Sequence, residues 1–388
     1  MKVIKAKIET LKYRPGQLMK DSELKEYDFK GFDINKAQAA GVVNVDSKNK
    51  LAYSKWVTPK RTRSYPFARI YDIYNFGGKR VTVIPVIKDE GLGASKNKSN
   101  NDRINFITLS WMNLTNVFVI LAWYTDAEKK SEYRITNQKF DNDYVKKKLK
   151  EISEYQLDAH HWNNEHFKSD FKEVYGNAVS AYERIAEDLN VKLHSSAGHL
   201  SFLEKIKDPE NSSCISLDKF AEETLAKSKL AAAREIVVNH KHEFLSLDSE
   251  KLVFEMKNNL GGSYFLTADE LIIDQSTKTI YIQEAKNATK DKLPKIADVK
   301  DGLFKILLFS QIKKITIDDI EYDYEVSLRL TGTLSSELAL PCSKEEIDTF
   351  AEKEDLSNPE RNLLAMLNEE ASENNFKVKL SHNGTENS

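Results

Sequence analysis

The sequence predicts an α/β protein, with a mixed-sheet core in its second half and an α+β region before it. Three observations predict this. Residues 206–330 read helix, strand, strand, helix, strand, an alternation that builds a sheet flanked by helices. In the first half, the short branched and aromatic runs KRVTVIPVI (79–87) and VFVILAWY (117–124) read as buried strands. From 141 to 193 the pattern turns helical, and Val179, Tyr182, Ala186 and Leu189 recur on one face.

A chain of 388 residues exceeds the usual size of one compact domain. We expect an N-terminal α+β region over 1–205, a core over 206–330 and an acidic C-terminal extension over 331–388. With 40% hydrophobic and 30% charged residues, the composition is that of an ordinary globular protein. A formal charge of −2 excludes a uniformly basic nucleic-acid coat but leaves room for a local basic face. The two cysteines, Cys214 and Cys342, lie far apart and offer neither a disulfide framework nor a CxxC metal site. MKVIKAKIETLKYRPG alternates like a strand and lacks the apolar core of a secretory signal. VFVILAWY is too short to span a bilayer. A soluble, cytoplasmic protein with no membrane partner is the expectation, so the N-x-[ST] matches at Asn113, Asn211 and Asn383 carry no weight.

Taken in order, the run 79–87 leads into KDEGLGASKNKSNNDR (88–103), whose Gly, Ser, Asn and Lys predict an exposed, mobile loop. Lys88, Asp89 and Glu90 read there as a solvated strand end. The polar IKDPENSSCIS (206–216) marks the boundary of the first region. A helix without internal Pro or Gly is predicted from Leu217 to about Val238, and another over 299–312, before strands at 314–318 and 323–331. Asp and Glu number 12 against 5 Lys and Arg from Ser335 onward. A short helix is predicted there from Pro359 to about Glu370, capped by Ser357 or Asn358.

The chemistry gathers between 263 and 294, SYFLTADELIIDQSTKTIYIQEAKNATKDKLP. Two strand-like runs flank the turn-prone DQSTKT. Antiparallel pairing brings Asp269 level with Glu284, and strand alternation turns Glu284 and Lys286 to the same side. Two neighbouring carboxylates repel unless a cation sits between them. Hard oxygen donors of this kind suit Mg²⁺ or Mn²⁺, and Lys286 could hold the attacking water of a phosphodiester hydrolysis. The same residues also suit a charged hairpin edge. The abrupt passage of YIQEAK from apolar to charged favours a site.

Asp269, Glu284 and Lys286 resemble the signature of the PD-(D/E)XK nuclease superfamily, an acid on one strand and (D/E)-x-K on the next. The resemblance covers roughly residues 217–330, and Ala268 stands where the fuller signature has Pro. It implies a restriction-endonuclease-like core and Mg²⁺-dependent DNA cleavage, most like a type II restriction endonuclease. Asp269, Glu284 and the Ala285 carbonyl are then the implied metal ligands, and Lys286 the implied catalytic amine. An additional acid from the preceding helix is implied as well, with Glu235 chosen and Glu223 as its rival.

Residues 47–71 contain seven Lys or Arg and no acid, interleaved with Trp56, Tyr65 and Phe67. Lys60, Arg61 and Arg63 are the expected DNA contacts there. Lys290, Lys292, Lys295 and Lys300 form a second basic segment beside the hairpin, with Lys290 and Lys292 the expected phosphate contacts. His160, His161 and His166 fit no zinc spacing. No Walker loop, GxGxxG or GxSxG appears, so no nucleotide cofactor is expected. The expected partners are double-stranded DNA and a second copy of the chain, since a double-strand cutter needs two active sites. A repair, recombination or RNA-directed nuclease, and a DNA-binding protein with an inactive nuclease-like fold, remain open alternatives.

Overall fold

The computed structural model describes residues 2–9, 11–13, 24–59, 66–93, 101–225, 252–258, 260, 263–266 and 268–383. The chain forms two compact units, neither continuous in sequence. A terminal unit gathers Met1–Glu23, Ile70–Asn75 and Ser228–Ser388, and an inserted unit holds Leu24–Arg69 and Phe76–Lys227.

In chain order, the first elements are β1 (Lys2–Ile8), β2 (Glu26–Asp28), β3 (Ala40–Asn44), β4 (Lys50–Lys55), α1 (Pro66–Ile73), β5 (Lys79–Pro85), β6 (Ile87–Asp89) and β7 (Asn101–Arg103). Next come α2 (Phe106–Leu114), β8 (Phe118–Ala122), β9 (Tyr124–Ser131), β10 (Arg134–Phe140), α3 (Asn142–Glu154), α4 (Ala159–Ser169), α5 (Phe171–Asp188) and α6 (Ala197–Ile206). A helix α7 is described over residues 217–225. Then follow β11 (Leu252–Asn258), β12 (Ser263–Leu266), β13 (Glu270–Asp274), β14 (Thr279–Asn287), α8 (Ile296–Phe309), β15 (Ile312–Ile317) and β16 (Ile320–Glu321). The last are β17 (Asp323–Gly332), β18 (Leu338–Leu340), α9 (Lys344–Lys353), α10 (Asn358–Asn374) and β19 (Lys377–His382).

The inserted unit is built on the sheet β2-β3-β4-β5-β8. All five residues of β8 are buried, as its apolar sequence demands. Asn163 of α4 satisfies the polar backbone there: its Oδ1 accepts the Val119 N–H at 2.7 Å and its Nδ2 donates to the Val117 carbonyl at 2.9 Å. Lys79 closes the end of α3 by donating to the carbonyls of Ile152, Ser153 and Tyr155. The basic segment 47–71 is partly structural. Lys55 donates to the Ile34 and Ala37 carbonyls, Lys50 pairs with Glu26 at 3.1 Å, and Trp56 is buried in the core.

One expectation about this unit is corrected, that of 88–103, whose residues 94–100 lie outside the described ones. The run 88–103 begins and ends as a paired hairpin, β6 with β7, in which Asp89 and Asp102 are buried. Asp89 is therefore no solvated strand end. Its carboxylate accepts the N–H groups of Gly91 and His194 and holds the His194 ring at 2.8 Å. His166, in turn, is a core histidine, taking the Leu121 N–H on Nε2 and meeting Asp170 through Nδ1.

The terminal unit carries two sheets, β12-β11-β1-β15-β16 and β13-β14-β17-β19-β18. β1 pairs in parallel with β11, Lys2 against Leu252, so the chain's first strand belongs with its second half rather than with a region ending at 205. The acidic stretch after 331 likewise supplies β18 and β19, which complete the second sheet. Strand β14, helix α8 and the parallel strand β17 form a crossover, with Thr279 opposite Asp323 and Lys286 opposite Leu330. Helix α8 is buried along most of its length. Leu303, Phe304, Ile306, Leu307, Leu308 and Phe309 have no exposed surface, and each such side chain contributes about 1.5–3 kcal/mol by burial. Ser357 and Glu360 form the reciprocal cap of α10, which carries the buried Glu370 to the hydroxyls of Tyr13 and Tyr71.

Candidate active site

The site begins with a hairpin. Asp274 accepts the Ser276 hydroxyl at 2.6 Å and the N–H groups of Thr277 and Ser276, and these bonds, the hydroxyl's above all, lower its pKa to about 2. The tightened turn fixes the register of β13 on β14, Glu270 opposite Gln283 and Asp274 opposite Thr279. That register carries Asp269 to the level of Glu284. Its Oδ2 accepts the Ala285 N–H at 2.9 Å, so the carboxylate lies against the backbone of the neighbouring strand.

Along β14, Ile280, Ile282 and Glu284 face the same way and all three have no exposed surface. The apolar face ends in a buried charge. Glu284 Oε1 accepts from Lys286 Nζ at 3.0 Å and its Oε2 from Lys305 Nζ at 2.8 Å. Lys286 also donates to Asp301 Oδ2 at 3.1 Å. The cluster is therefore Asp269, Glu284, Lys286, Asp301 and Lys305, three carboxylates and two amines. Burial raises the Glu284 pKa, Asp269 raises it further, and the two lysines oppose the rise. Lys286 is held well above the ordinary lysine range: Glu284 and Asp301 outweigh the burial that would lower it.

Asp301 and Lys305 reach the strand because α8 lies close to the sheet at Gly302. A Cβ on Gly302 would stand 2.8 Å from Leu328 Cδ1 and 3.2 Å from Lys286 Cε. The sequence offered a signal for this pair: two opposite charges four residues apart in the apolar run GLFKILLF and its preceding turn, on a helix whose other faces are buried. On the opposite face of the sheet, Gln283 donates to Glu270, and Arg329 pairs with Glu270 at 3.1 Å.

The structure thus brings together Asp269, Glu284, Ala285 and Lys286. Glu235, Lys60, Arg61 and Arg63 lie outside the described residues. Glu223 pairs with Lys205 at 3.7 Å within the inserted unit. Of the second basic segment, Lys290 and Lys295 are exposed, whereas Lys292 donates to the carbonyls of Glu354 and Asp355 and Lys300 pairs with Asp72 at 2.6 Å. Lys292 and Lys300 thereby tie the chain together. No family profile, curated protein or solved structure matches this chain.

Asp269 and Glu284 carry hard oxygen donors of the kind a divalent cation takes. Glu284 on β14 and Asp269 just before β13 bring two carboxylates together; Asp269 raises the proton affinity of Glu284, and the lysines on both Glu284 oxygens oppose that rise. Among the described residues no group of three or more His, Cys, Asp or Glu side chains is placed to hold a metal ion. No described helix is long and apolar enough to cross a membrane.

Proposed function

We propose that this chain is a Mg²⁺-dependent endonuclease that hydrolyses phosphodiester bonds of double-stranded DNA, a site-specific enzyme of the type II restriction kind. The observation that carries the reading is the buried Glu284 between Lys286 and Lys305, with the Asp269 carboxylate, one residue before β13, held against the Ala285 N–H beside it. The order of elements supports it as well: the β13–β14 hairpin is followed by α8, then by β15 and β16 of the other sheet, and then by β17 parallel to β14.

Asp269, Glu284 and the Ala285 carbonyl would hold the ion, which when bound supplies charge stabilisation at a phosphate oxygen and a water of lowered pKa. The protein's own part rests on Lys286. Its amine stays protonated at neutral pH between Glu284 and Asp301, so it acts as a donor to a phosphate oxygen or to the attacking water, not as a base. Asp301 positions that amine. Lys305 balances the Glu284 charge while no cation does so.

Unmethylated phage DNA incubated with the purified protein and Mg²⁺ is expected to give discrete fragments, and EDTA to abolish them. Smearing degradation would keep the chemistry and discard site specificity, as for a repair or recombination nuclease. A homodimer on DNA is part of the reading, and light scattering that finds only a monomer there would remove it. One observation favours a second reading. Both Glu284 oxygens already have lysine partners, as in a structural ion cluster, so the fold could bind DNA without cutting it. That reading predicts salt-sensitive DNA binding with no cleavage in Mg²⁺ or Mn²⁺.

A further inference from the structure

In the inserted unit, a cavity of about 410 Å³ opens beside the β9–β10 hairpin. Lys88, Glu90, Lys130, Arg134, Asn137 and Gln138 line it. Its volume falls within the usual range for a small-ligand site, about 300–1,000 Å³. Charge decides what it would take. Every acid nearby has its own partner: Glu90 pairs with Lys88 at 2.8 Å, Asp126 with Lys139 at 2.9 Å, Glu132 with Lys192 at 2.7 Å, and Glu128 accepts the Asn137 amide at 2.7 Å. Lys130 and Arg134 have no side-chain hydrogen bond or ion pair among the described residues. Glu128, whose amide partner leaves its charge in place, offsets one of these cations, so the rim carries a net positive charge with neither Lys130 nor Arg134 held by an acid.

The base beneath them is rigid. Gln138 donates to the Asp89 carbonyl at 2.7 Å and accepts the Tyr182 hydroxyl at 2.6 Å. The hairpin end is fixed by the backbone of 90–93: Ile135 N donates to the Glu90 carbonyl, and Gly93 N to the Tyr133 carbonyl. Gly91, at φ +96°, lies so close that a Cβ there would stand 2.2 Å from the Tyr133 carbonyl oxygen. A fixed wall with an unpaired guanidinium and ammonium at its edge is suited to an oxyanion, which Arg134 can grip through two parallel donors.

We infer that this cavity binds the phosphate of a nucleotide, either free or within a DNA strand. The choice of phosphate over other anions rests on the nuclease reading of the terminal unit.

The test uses the full chain in Ca²⁺ without Mg²⁺, with two probes: a fluorescein-labelled 20-base-pair duplex followed by anisotropy, and dGMP followed by calorimetry. Lys130→Ala/Arg134→Ala is compared with the charge-matched Lys147→Ala/Lys150→Ala on α3, whose lysines are exposed. If the cavity holds DNA, the first pair weakens duplex binding about tenfold or more and lowers the slope of log K against log salt by about 2, while the second pair changes little. Selective loss of dGMP binding alone supports the same site with a free nucleotide as its ligand. Equal affinities in wild type and the Lys130/Arg134 variant, losses matched by the control pair, or no binding of either probe by wild type would overturn the inference. Cleavage is read separately in Mg²⁺. Binding through the cavity without cleavage would remove the nuclease reading and leave the site standing.

Discussion

Replacing Lys305 by Met removes one of the two amines on a carboxylate that has no exposed surface. At 2.8 Å the attraction between Lys305 and Glu284 is about 6 kcal/mol in an effective dielectric of about 20, before desolvation of the two ions returns several kcal/mol. Breaking a buried pair on one side costs about 3–5 kcal/mol. Glu284 keeps Lys286 at 3.0 Å, so the expected loss at pH 7 is smaller, about 2–4 kcal/mol. Adding Glu284→Gln should recover most of that loss, because no buried charge then lacks a partner. The sign with pH follows from the raised Glu284 pKa. Its ionised form is disfavoured in the fold, so stability is present below the ordinary value of 4.5 and is lost as pH rises through the raised folded value. Lys305→Met raises that value further, so the difference from wild type should grow as pH rises above 4.5 and shrink toward acid. Urea unfolding in EDTA at several pH values measures it. A single variant within about 0.5 kcal/mol of wild type, or a loss independent of pH, refutes the buried-pair reasoning.

Other consequences are open to the same kind of check. Gly302→Ala should destabilise by about 1–3 kcal/mol through contact with Leu328, despite alanine's better helix propensity, and should slow cleavage by displacing Lys286; unfolding and single-turnover rates report the two effects. Tyr71→Phe removes a hydroxyl from the buried Glu370 and should cost about 1.5–3 kcal/mol in denaturant unfolding. Burial and the neighbouring Arg69 lower the Lys55 pKa to about 8, so its amine should titrate there by NMR, a whole region below exposed lysines. Because that folded value lies below the ordinary 10.5, the inserted unit should gain stability as pH rises from 8 to 10.5.

The hairpin that carries the candidate site was legible in the sequence because its signals are local. Alternation fixes which of Ile280, Ile282 and Glu284 share a face, and DQSTKT supplies a turn that sets the register. The same holds for α8 and for the capped start of α10. What escaped was set by distant partners. Nothing in KVIKAKI indicates that it pairs in parallel with a strand 250 residues later, Lys2 with Leu252. The terminal run KVKLSH alternates like a strand, but the acidic composition around it masked its place in the second sheet. Asp89 read as solvated from its neighbours, whereas its burial depends on His194, more than a hundred positions away. Asp301 and Lys305 became part of the site only through the close approach at Gly302.

Single-turnover cleavage of a labelled duplex by Asp269→Asn and Lys286→Ala, with duplex affinity measured in parallel in Ca²⁺, tests the central claim most directly. The account predicts that Mg²⁺-dependent cleavage falls by about 10²–10⁴-fold in each variant while affinity for the duplex stays near that of wild type. Cleavage retained in both variants, or absent from wild type in every divalent metal tried, would contradict it.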